Sequence, residues 1–211
     1  MALFQRRPDY GSRLSFTTFG MNKNLLIVGL GNPGQEYSGT RHNIGFASID
    51  SFATSQKFDP WANKTDLKCL ATIQMLGDTR VILCKPTTFM NLSGEAVQAI
   101  AHFYKIPLEQ IIVVHDELDI PFGQIRIRTG GGSAGHNGVK SITQHLGDQY
   151  GRVRIGIGPK TPPQIDSADF VLQRFSDEER VSLPVVTREV AALLSEYAYG
   201  APTTTETRSI F

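Results

Sequence analysis

Leu25-Leu-Ile-Val-Gly-Leu-Gly-Asn-Pro-Gly34 is the segment from which the architecture of this chain can be inferred. Leu25–Leu30 is a continuous apolar run, which is typical of a strand buried on both faces. The glycines that follow end the strand and place Asn32 in the turn after it. In open α/β sheets such a turn lies at the sheet edge where ligands commonly bind.

The same segment matches G-x-G-x-x-G, the pattern of dinucleotide-binding folds. In a true fingerprint the last glycine opens a helix, so that a pyrophosphate meets the helix N-terminus. Here Pro33 and the polar stretch Gln35–Asn43 delay the helix. The acid expected about 20 residues onward, at the end of a second strand, is missing, and Asp50 falls inside the predicted helix instead. A nicotinamide-dependent enzyme is therefore only a minor alternative.

Helical periodicity appears in several segments downstream of this strand. The predicted helices are Ile44–Thr54, Leu92–Phe103 (stopped by Pro107), Gly138–Leu146 and a closing helix that begins with a capping box at Ser176 and Glu179. Pro184 should kink the closing helix or divide it, because proline removes a backbone hydrogen bond.

Strand patterns separate these helices. Leu67–Met75 alternates and is followed by a Gly77-Asp78 turn and by Val81–Cys84, so we predict a hairpin. Further strands are predicted at Ile111–His115, Gln124–Thr129 and Val153–Ile157. Strands that alternate with helices, plus one hairpin, predict an α/β fold: a single domain with a mixed, mostly parallel twisted sheet flanked by helices on both faces.

Composition narrows the class of protein. The chain has 211 residues, of which 40% are hydrophobic and 19% charged, as in a soluble globular domain. No apolar run approaches the roughly 20 residues of a membrane helix, so we expect no membrane partner. The two cysteines, Cys69 and Cys84, do not make a disulfide framework, and we expect reduced core thiols in a reducing compartment.

Residues 1–20 differ from the remainder, with three arginines, one acid and no clear periodicity. The segment fits an extension that precedes a start at Met21, a disordered tail, or an organelle transit segment. We favour the first two interpretations. The predicted domains are thus a disordered or non-native extension over residues 1–20 and a single α/β domain over residues 21–211.

Positive charge is concentrated in one part of the chain. The formal net charge is only +1, but residues 123–160 contain six basic residues against one acid, Asp148. The basic residues are Arg126, Arg128, Lys140, Arg152, Arg154 and Lys160. Because side chains two apart share a strand face, the two arginine pairs would form a phosphate clamp if their faces adjoin. Ordinary solvated surface is an equally weighted alternative.

Six stretches taken together resemble peptidyl-tRNA hydrolases of the bacterial type. They are Val28-Gly-Leu-Gly-Asn-Pro-Gly34, Thr40-Arg-His-Asn43, Lys85-Pro-Thr-Thr-Phe-Met-Asn-Leu-Ser-Gly94, His115-Asp-Glu-Leu-Asp119, Gly130-Gly-Gly-Ser-Ala-Gly-His-Asn-Gly138, and Arg154 with Gly156-Ile-Gly158. They occur in family order from about Leu25 to Phe175, roughly three quarters of the chain. Several long motifs in register are more specific than any one of them.

The resemblance implies an enzyme that hydrolyses the ester between a peptide, or an N-blocked amino acid, and tRNA. His42 would be the general base that activates water, since a neutral imidazole suits this task. Asp116 would accept a hydrogen bond from the other ring nitrogen and fix the tautomer. Asn32 would contact the peptide or its carbonyl, while His115 would point to the opposite strand face and be structural.

The resemblance also implies a substrate surface. Asn91 and Asn137 would hold the substrate backbone or the terminal ribose, while Tyr37 and Phe89 would provide apolar walls near the tRNA 3′ end or pack in the core. Basic residues similar to Arg128 and Arg154 contact tRNA phosphates in the family, and Lys140 could help. Met90 would line the core.

We expect no metal, no cofactor and no covalent intermediate, because no metal-ligand spacing and no nucleophile elbow occur in the sequence. The partner would be tRNA that carries a peptide, acted on by a monomer in the cytoplasm, or in an organelle if residues 1–20 are a transit segment. The main alternative function is a non-catalytic RNA-binding relative of the plastid intron-splicing type. Retention of His42, Asp116 and the three asparagines disfavours that alternative.

Overall fold

A single sheet runs through the protein, and the computed structural model describes residues 23–211 of it. Its eight strands are β1 (Lys23–Gly29), β2 (Ala62–Lys64), β3 (Cys69–Leu76), β4 (Thr79–Pro86), β5 (Ile111–Pro121), β6 (Gln124–Thr129), β7 (Gly151–Gly158) and β8 (Glu206–Ser209). Their order is β2-β3-β4-β1-β5-β7-β6-β8. The buried strand at the start of the described chain therefore lies in the middle of the sheet, as its continuous apolar run predicts.

The sheet is mixed, as predicted, but parallel pairing is confined to its centre. The pairs β4–β1, β1–β5 and β5–β7 are parallel. Both flanks are antiparallel, in the pairs β2–β3, β3–β4, β7–β6 and β6–β8. With three parallel pairs against four, the expectation of a mostly parallel sheet is wrong. At one edge the β3–β4 hairpin adds an antiparallel neighbour at low entropic cost, whereas at the other edge β6 and β8 pair antiparallel across long connections.

Helices cover both faces of the sheet, which confirms the predicted α/β architecture. They are α1 (Ile44–Ser55), α2 (Ser93–Phe103), α3 (Asn137–Leu146), α4 (Ser167–Leu172) and α5 (Asp177–Ala198). Along β1, Leu25 and Ile27 pack into the core shared with α1 and α5. Leu26 and Val28 pack into the core shared with α2 and α3. Strand periodicity thus divides the apolar residues of one strand between two cores.

Most elements match the sequence prediction within one or two residues. The hairpin, α1, α2, α3, β6 and β7 are confirmed, whereas β2, α4 and β8 were not predicted. Strand β5 continues well beyond His115, to Pro121. Both cysteines are buried free thiols, as expected. Residues 1–20, predicted to be an extension, lie outside the described residues.

Helix α5 begins with the predicted capping box, in which Ser176 and Glu179 bond each other's backbone N–H. It then continues without division to Ala198, so Pro184 does not end it. Pro184 lies on the exposed side of the helix, where water can satisfy the carbonyl that proline leaves without a partner. None of the helices among residues 23–211 is long and apolar enough to cross a membrane.

Helix α1 approaches the central strands unusually closely. A Cβ on Gly45, in its first turn, would lie well inside 3.0 Å of the carbonyl oxygens of Leu30 and Val114. A Cβ on Gly29 would in turn meet the carbonyl of Gly45. The first glycine of the G-x-G-x-x-G pattern therefore serves helix–strand packing. The chain after Gly34 forms a short 3₁₀ turn at Gln35–Tyr37, not the helix that a pyrophosphate would need.

We expect Gly45→Ala to lower the free energy of unfolding by about 1–3 kcal/mol, because the added methyl group overpacks a rigid backbone contact. Gly132→Ala is the control, since a Cβ there meets no atom within 4 Å. The check is urea denaturation followed by circular dichroism. A Gly45→Ala protein as stable as the control would contradict the close packing of α1 on β1 and β5.

Candidate active site

A cavity of about 690 Å³ lies beside the carboxyl end of β1, between the turn after that strand, the loop before α3, and α4. It brings together most of the polar residues singled out in the sequence. Its lining is Asn32, His42, Phe89, Met90, Asn91, Asp116, Glu117, Leu118, Ala134, Gly135, His136, Asn137, Ser167, Ala168, Val171 and Leu172. The cavity therefore lies where the sequence pattern placed the ligand-binding edge.

His42 and Asp116 meet at the floor of this cavity, although 74 residues separate them in sequence. The Nδ1 atom of His42 is 2.9 Å from Oδ1 and 3.0 Å from Oδ2 of the carboxylate. Since an ionised carboxylate only accepts, Nδ1 carries the proton and donates it to Asp116. The other ring nitrogen, Nε2, is then left with a free lone pair, which is what a general base needs.

A second imidazole, that of His136, shares the same carboxylate. Its Nε2 lies 3.0 Å from Oδ1 of Asp116. Its Nδ1 accepts hydrogen bonds from the backbone N–H groups of Gly138 and Val139, at 3.1 and 3.3 Å. His136 therefore caps the N-terminus of α3 with one nitrogen and donates to Asp116 with the other. This arrangement fixes its neutral tautomer, because an acceptor at Nδ1 cannot carry a proton.

The two histidines determine the charge state of Asp116. Burial by itself would raise the pKa of this carboxyl group, but its electrostatic attraction to the imidazole groups of His42 and His136, and the hydrogen bonds from them, outweigh burial and hold its pKa below the ordinary range. Asp116 is consequently ionised throughout the neutral range. A buried carboxylate with fixed donors can orient His42 and stabilise an imidazolium that forms there.

His115 lies next to Asp116 in β5, but its side chain is buried outside the cavity lining. Its Nδ1 donates to the backbone carbonyl of Asp116 at 2.7 Å, and its ring contacts that of His136 edge-on, with centroids 4.8 Å apart. Burial, and next the proximity of His136, keep the pKa of His115 well below its ordinary value. It supports the histidine that caps α3.

Asn32 is held rigidly at the end of β1. The side-chain amide of Asn43 makes two hydrogen bonds with the backbone of Asn32, to its N–H at 2.8 Å and to its carbonyl at 2.9 Å. The Oδ1 atom of Asn32 accepts the N–H of Met90 at 2.7 Å. Its acceptor is therefore occupied, and the NH₂ group is the part of this side chain that remains to donate to a ligand.

The other candidate residues lie around the mouth of the cavity. Asn91 and Asn137 are exposed and line it from the turn before α2 and from the first residue of α3. Phe89 lines it as well and is 54% exposed, so this ring does not pack in the core. Tyr37 is half-buried and packs edge-on against Phe89, with ring centroids 6.4 Å apart, but it does not line the cavity. Tyr37 therefore packs against Phe89 on the side away from the cavity lining.

The arginine pairs of β6 and β7 do adjoin. The register places Arg126 opposite Arg154 and Arg128 opposite Arg152, so all four project from one face of the sheet. Arg128 is exposed, whereas Arg154 is forked onto one oxygen of Glu117 at 3.0 and 3.1 Å. An anion at Arg154 would have to compete with this buried carboxylate. Lys140 is exposed on α3.

Arg152 does not belong to an accessible clamp, contrary to the expectation that all four arginines contribute. It is 2% exposed, with its guanidinium 4.7 Å from the centre of the Tyr150 ring. Its Nη1 donates to the carbonyl of Gly132 at 2.7 Å. Arg152 thus anchors the glycine-rich loop that leads into His136. The sequence pattern placed its side chain on the correct face, but it could not show that this loop folds over it.

His42, Asp116 and His136 are the one group within residues 23–211 that combines metal-ligand types closely enough to hold an ion, with their ligand atoms within 4.8 Å of one another. The hydrogen bonds described above use Nδ1 of His42, Nε2 of His136 and both carboxylate oxygens of Asp116. The same residues therefore form a self-consistent acid–base cluster without an ion.

Comparison with known proteins assigns this arrangement to a family. Residues 26–209 match the family model described as peptidyl-tRNA hydrolase. This chain belongs to that family. A peptidyl-tRNA hydrolase of Sulfurovum sp. is 45% identical over 176 residues, which cover 81% of this chain and 89% of that protein. The resemblance inferred from the six sequence motifs is confirmed.

Two further peptidyl-tRNA hydrolases place the chain among bacterial and plastid relatives. The crystal structure of the enzyme from Acinetobacter baumannii superposes with a TM-score of 0.78 at 35% identity, covering 86% of this chain and 91% of that one. A chloroplastic peptidyl-tRNA hydrolase of Arabidopsis thaliana is 48% identical over 160 residues, which cover 75% of this chain. Those residues span about half (54%) of the Arabidopsis protein.

Three residues of this site could not be assigned a role from the sequence. His136, Asn43 and Glu117 lie inside the quoted motifs, but no role was assigned to them. Their spacing carries no signal: His136 caps a helix although histidine is not a preferred N-cap residue. Asn43 acts on a backbone 11 residues away. Only the packing of separate segments reveals these roles.

The buried His115 makes the stability of the fold depend on pH. Below its ordinary pKa of 6.5 the unfolded chain binds a proton that the native state does not, so the free energy of unfolding falls as the pH falls, by up to about 1.4 kcal/mol per pH unit. His115→Asn keeps a hydrogen-bond donor near the position of the imidazole Nδ1 and removes the titrating group, so it should reduce this loss of stability in acid. Urea unfolding at about pH 7.5 and about pH 5.5 measures it. The exposed His102→Asn is the control, and equal acid losses in all three proteins would contradict the burial of a neutral His115.

Proposed function

We propose that this protein hydrolyses the ester between a peptide, or an N-blocked amino acid, and the terminal ribose of tRNA, with His42 as the general base. The single observation that carries the mechanism is the contact between Nδ1 of His42 and the buried carboxylate of Asp116. Membership of the peptidyl-tRNA hydrolase family supplies the substrate class. Hydrolysis releases a free peptide and a tRNA that can be charged again.

The proton moves along a short path in this mechanism. Nε2 of His42 takes a proton from a water molecule as the water oxygen attacks the ester carbonyl carbon. The imidazolium that results is stabilised by Asp116, which keeps its own negative charge. When the tetrahedral intermediate collapses, the bond between carbon and ribose oxygen breaks. The ribose oxygen then takes the proton from His42, and the peptide leaves as a carboxylic acid that ionises.

Asn32 is positioned to stabilise the charge that develops on the carbonyl oxygen. Its own Oδ1 is bound to the N–H of Met90, so its NH₂ group donates to the substrate. Asn43 holds the backbone of Asn32, which limits reorganisation during the reaction. Asn91 and Asn137, with a donor and an acceptor each, bind the peptide backbone or the ribose at the mouth of the cavity.

In this proposal the tRNA lies along the basic face, which is formed by Arg128, Lys140 and Arg154. Arg128 and Lys140 contact phosphates, as does Arg154 once an anion competes with Glu117. Such contacts position a tRNA without reading its sequence, which suits an enzyme that accepts many tRNAs. Phe89, supported by Tyr37, offers a stacking surface near the 3′ end.

We propose further that the protein acts as a monomer in the cytoplasm, or in an organelle if residues 1–20 direct it there. Relatives occur both in bacteria and in a chloroplast. Light scattering coupled to size-exclusion chromatography tests the oligomeric state. Microscopy of the full chain and of a chain without residues 1–20 tests the location.

His42→Ala should lower kcat for hydrolysis of N-acetyl-aminoacyl-tRNA by about 10²–10⁴-fold, because general-base catalysis contributes that much. The release of labelled amino acid from N-acetylated and from free aminoacyl-tRNA provides the measurement. His102→Ala, which removes an exposed histidine on α2, is the matched control. The proposal fails if the wild-type protein binds tRNA without cleaving it, which is the outcome expected of a non-catalytic RNA-binding relative.

Arg128→Gln should weaken tRNA binding at low salt and reduce the slope of log K against log salt by about 1, as expected for one lost phosphate contact. The control, Arg188→Gln, removes an exposed arginine of α5, a helix on the other face of the sheet. Fluorescence anisotropy of labelled tRNA over a salt series gives both slopes. Identical slopes for the two variants would argue against the basic face as the tRNA surface.

A further inference from the structure

Arg41 directly precedes His42 in the short 3₁₀ turn Arg41–Asn43, yet its side chain takes a different course. It is 6% exposed and does not line the cavity. Its Nη1 donates to the backbone carbonyl of Arg174, and its Nη2 donates to Oε2 of Glu179, both at 2.6 Å. Arg41 takes no part in the proposed mechanism.

The contacts of Arg41 hold one segment of chain, residues 170–175. The guanidinium carbon lies 4.3 Å from the centre of the Phe170 ring and 5.2 Å from that of Phe175. The backbone N–H of Arg41 donates to the carbonyl of Gln173 at 2.9 Å. A guanidinium that stacks on aromatic rings and also donates several hydrogen bonds is held in one orientation.

That segment includes part of the cavity wall. Helix α4 turns Ala168, Val171 and Leu172 toward the cavity, while Phe170 packs behind them in the core with Arg41. The wall therefore presents these three apolar side chains, with Ser167 at the start of the helix, on its inner side and is fixed to Arg41 on its outer side. Because Arg41 and His42 are consecutive, the residue that holds this wall is joined directly to the residue that carries the imidazole.

Glu179 supplies the negative charge that compensates the buried guanidinium of Arg41. Its Oε2 accepts both from Arg41 and, at 2.7 Å, from the backbone N–H of Ser176 in the capping box of α5. A buried guanidinium is costly unless an anion compensates it. Loss of the charge of Glu179 would therefore loosen the hold of Arg41 on α4. Replacement by glutamine should preserve the capping box itself, since glutamine serves at that position as well.

We propose that Arg41 is a positioning residue that fixes the apolar α4 wall at a set distance from His42 and so makes the enzyme favour substrates with a large apolar residue at the scissile ester. This inference rests on the proposed function. An apolar wall gains free energy from an apolar side chain, but only if the side chain and the ester fit the wall and the base together.

The test compares two substrates, N-acetyl-phenylalanyl-tRNA and N-acetyl-glycyl-tRNA, on the full-length protein. Glu179→Gln should lower kcat/KM about tenfold for the phenylalanyl substrate, mainly through KM, and less than about twofold for the glycyl substrate. Arg41→Lys should act in the same direction, because an ammonium group does not reproduce the planar fork. Glu178→Gln removes an exposed charge from the same helical turn and should leave both substrates unchanged.

The outcomes separate this inference from the proposed function. If the wild-type protein cleaves neither substrate, the proposed function fails. If the wild-type protein cleaves both, but Glu179→Gln loses activity equally on the two or loses none, the positioning role of Arg41 is overturned. Circular dichroism at the assay temperature confirms that each variant is folded. A substrate-dependent loss in a folded protein is a result that a general loss of stability does not produce.

Discussion

The carboxylate of Asp116 is the group on which the rest of the site depends. A buried anion is costly unless donors surround it, and this one receives hydrogen bonds from His42 and from His136. Each histidine is in turn committed to one tautomer: His42 presents a free lone pair to the cavity, and His136 turns its own toward the N-terminus of α3. One negative charge thus orders both the His42 imidazole and the residue that caps α3.

Close packing of helices and loops on the central strands brings His42 and His136 to this carboxylate. Gly45 lets α1 lie directly on the ends of β1 and β5, so the turn that carries His42 reaches the strand that carries Asp116. Arg152, buried beneath the glycine-rich loop, holds Gly132 and helps to fix the path of the chain to His136. On the outer side, Arg41 ties α4 to the same turn. Buried cations here secure loops, whereas the exposed Arg128 remains available for a ligand.

Several expectations fail for one common reason. The balance of parallel and antiparallel pairs depends on which strands become neighbours, and the edges β2 and β8 are too short or too polar to be recognised beforehand. Pro184 does not divide its helix, where it faces solvent, and this is a fact of orientation and not of residue type. Arg152 shares a strand face with Arg154 as its spacing requires, but a loop distant in sequence buries it. Each outcome is decided by contacts between segments far apart in the chain.

By itself, the sequence determined the elements whose periodicity is local: the buried strand β1, the hairpin, the helices α1 to α3, and the shared face of each arginine pair. Its long motifs also identified the family and, by resemblance, proposed His42, Asp116 and Asn32 for the site. Only the tertiary structure decided that His136 shares the carboxylate, that Asn43 locks Asn32, and that Arg41 holds the cavity wall. The physical reason is that helix and strand geometry fix spacing over a few residues, whereas these contacts join residues 11 to 133 positions apart and exist only once the chain has packed.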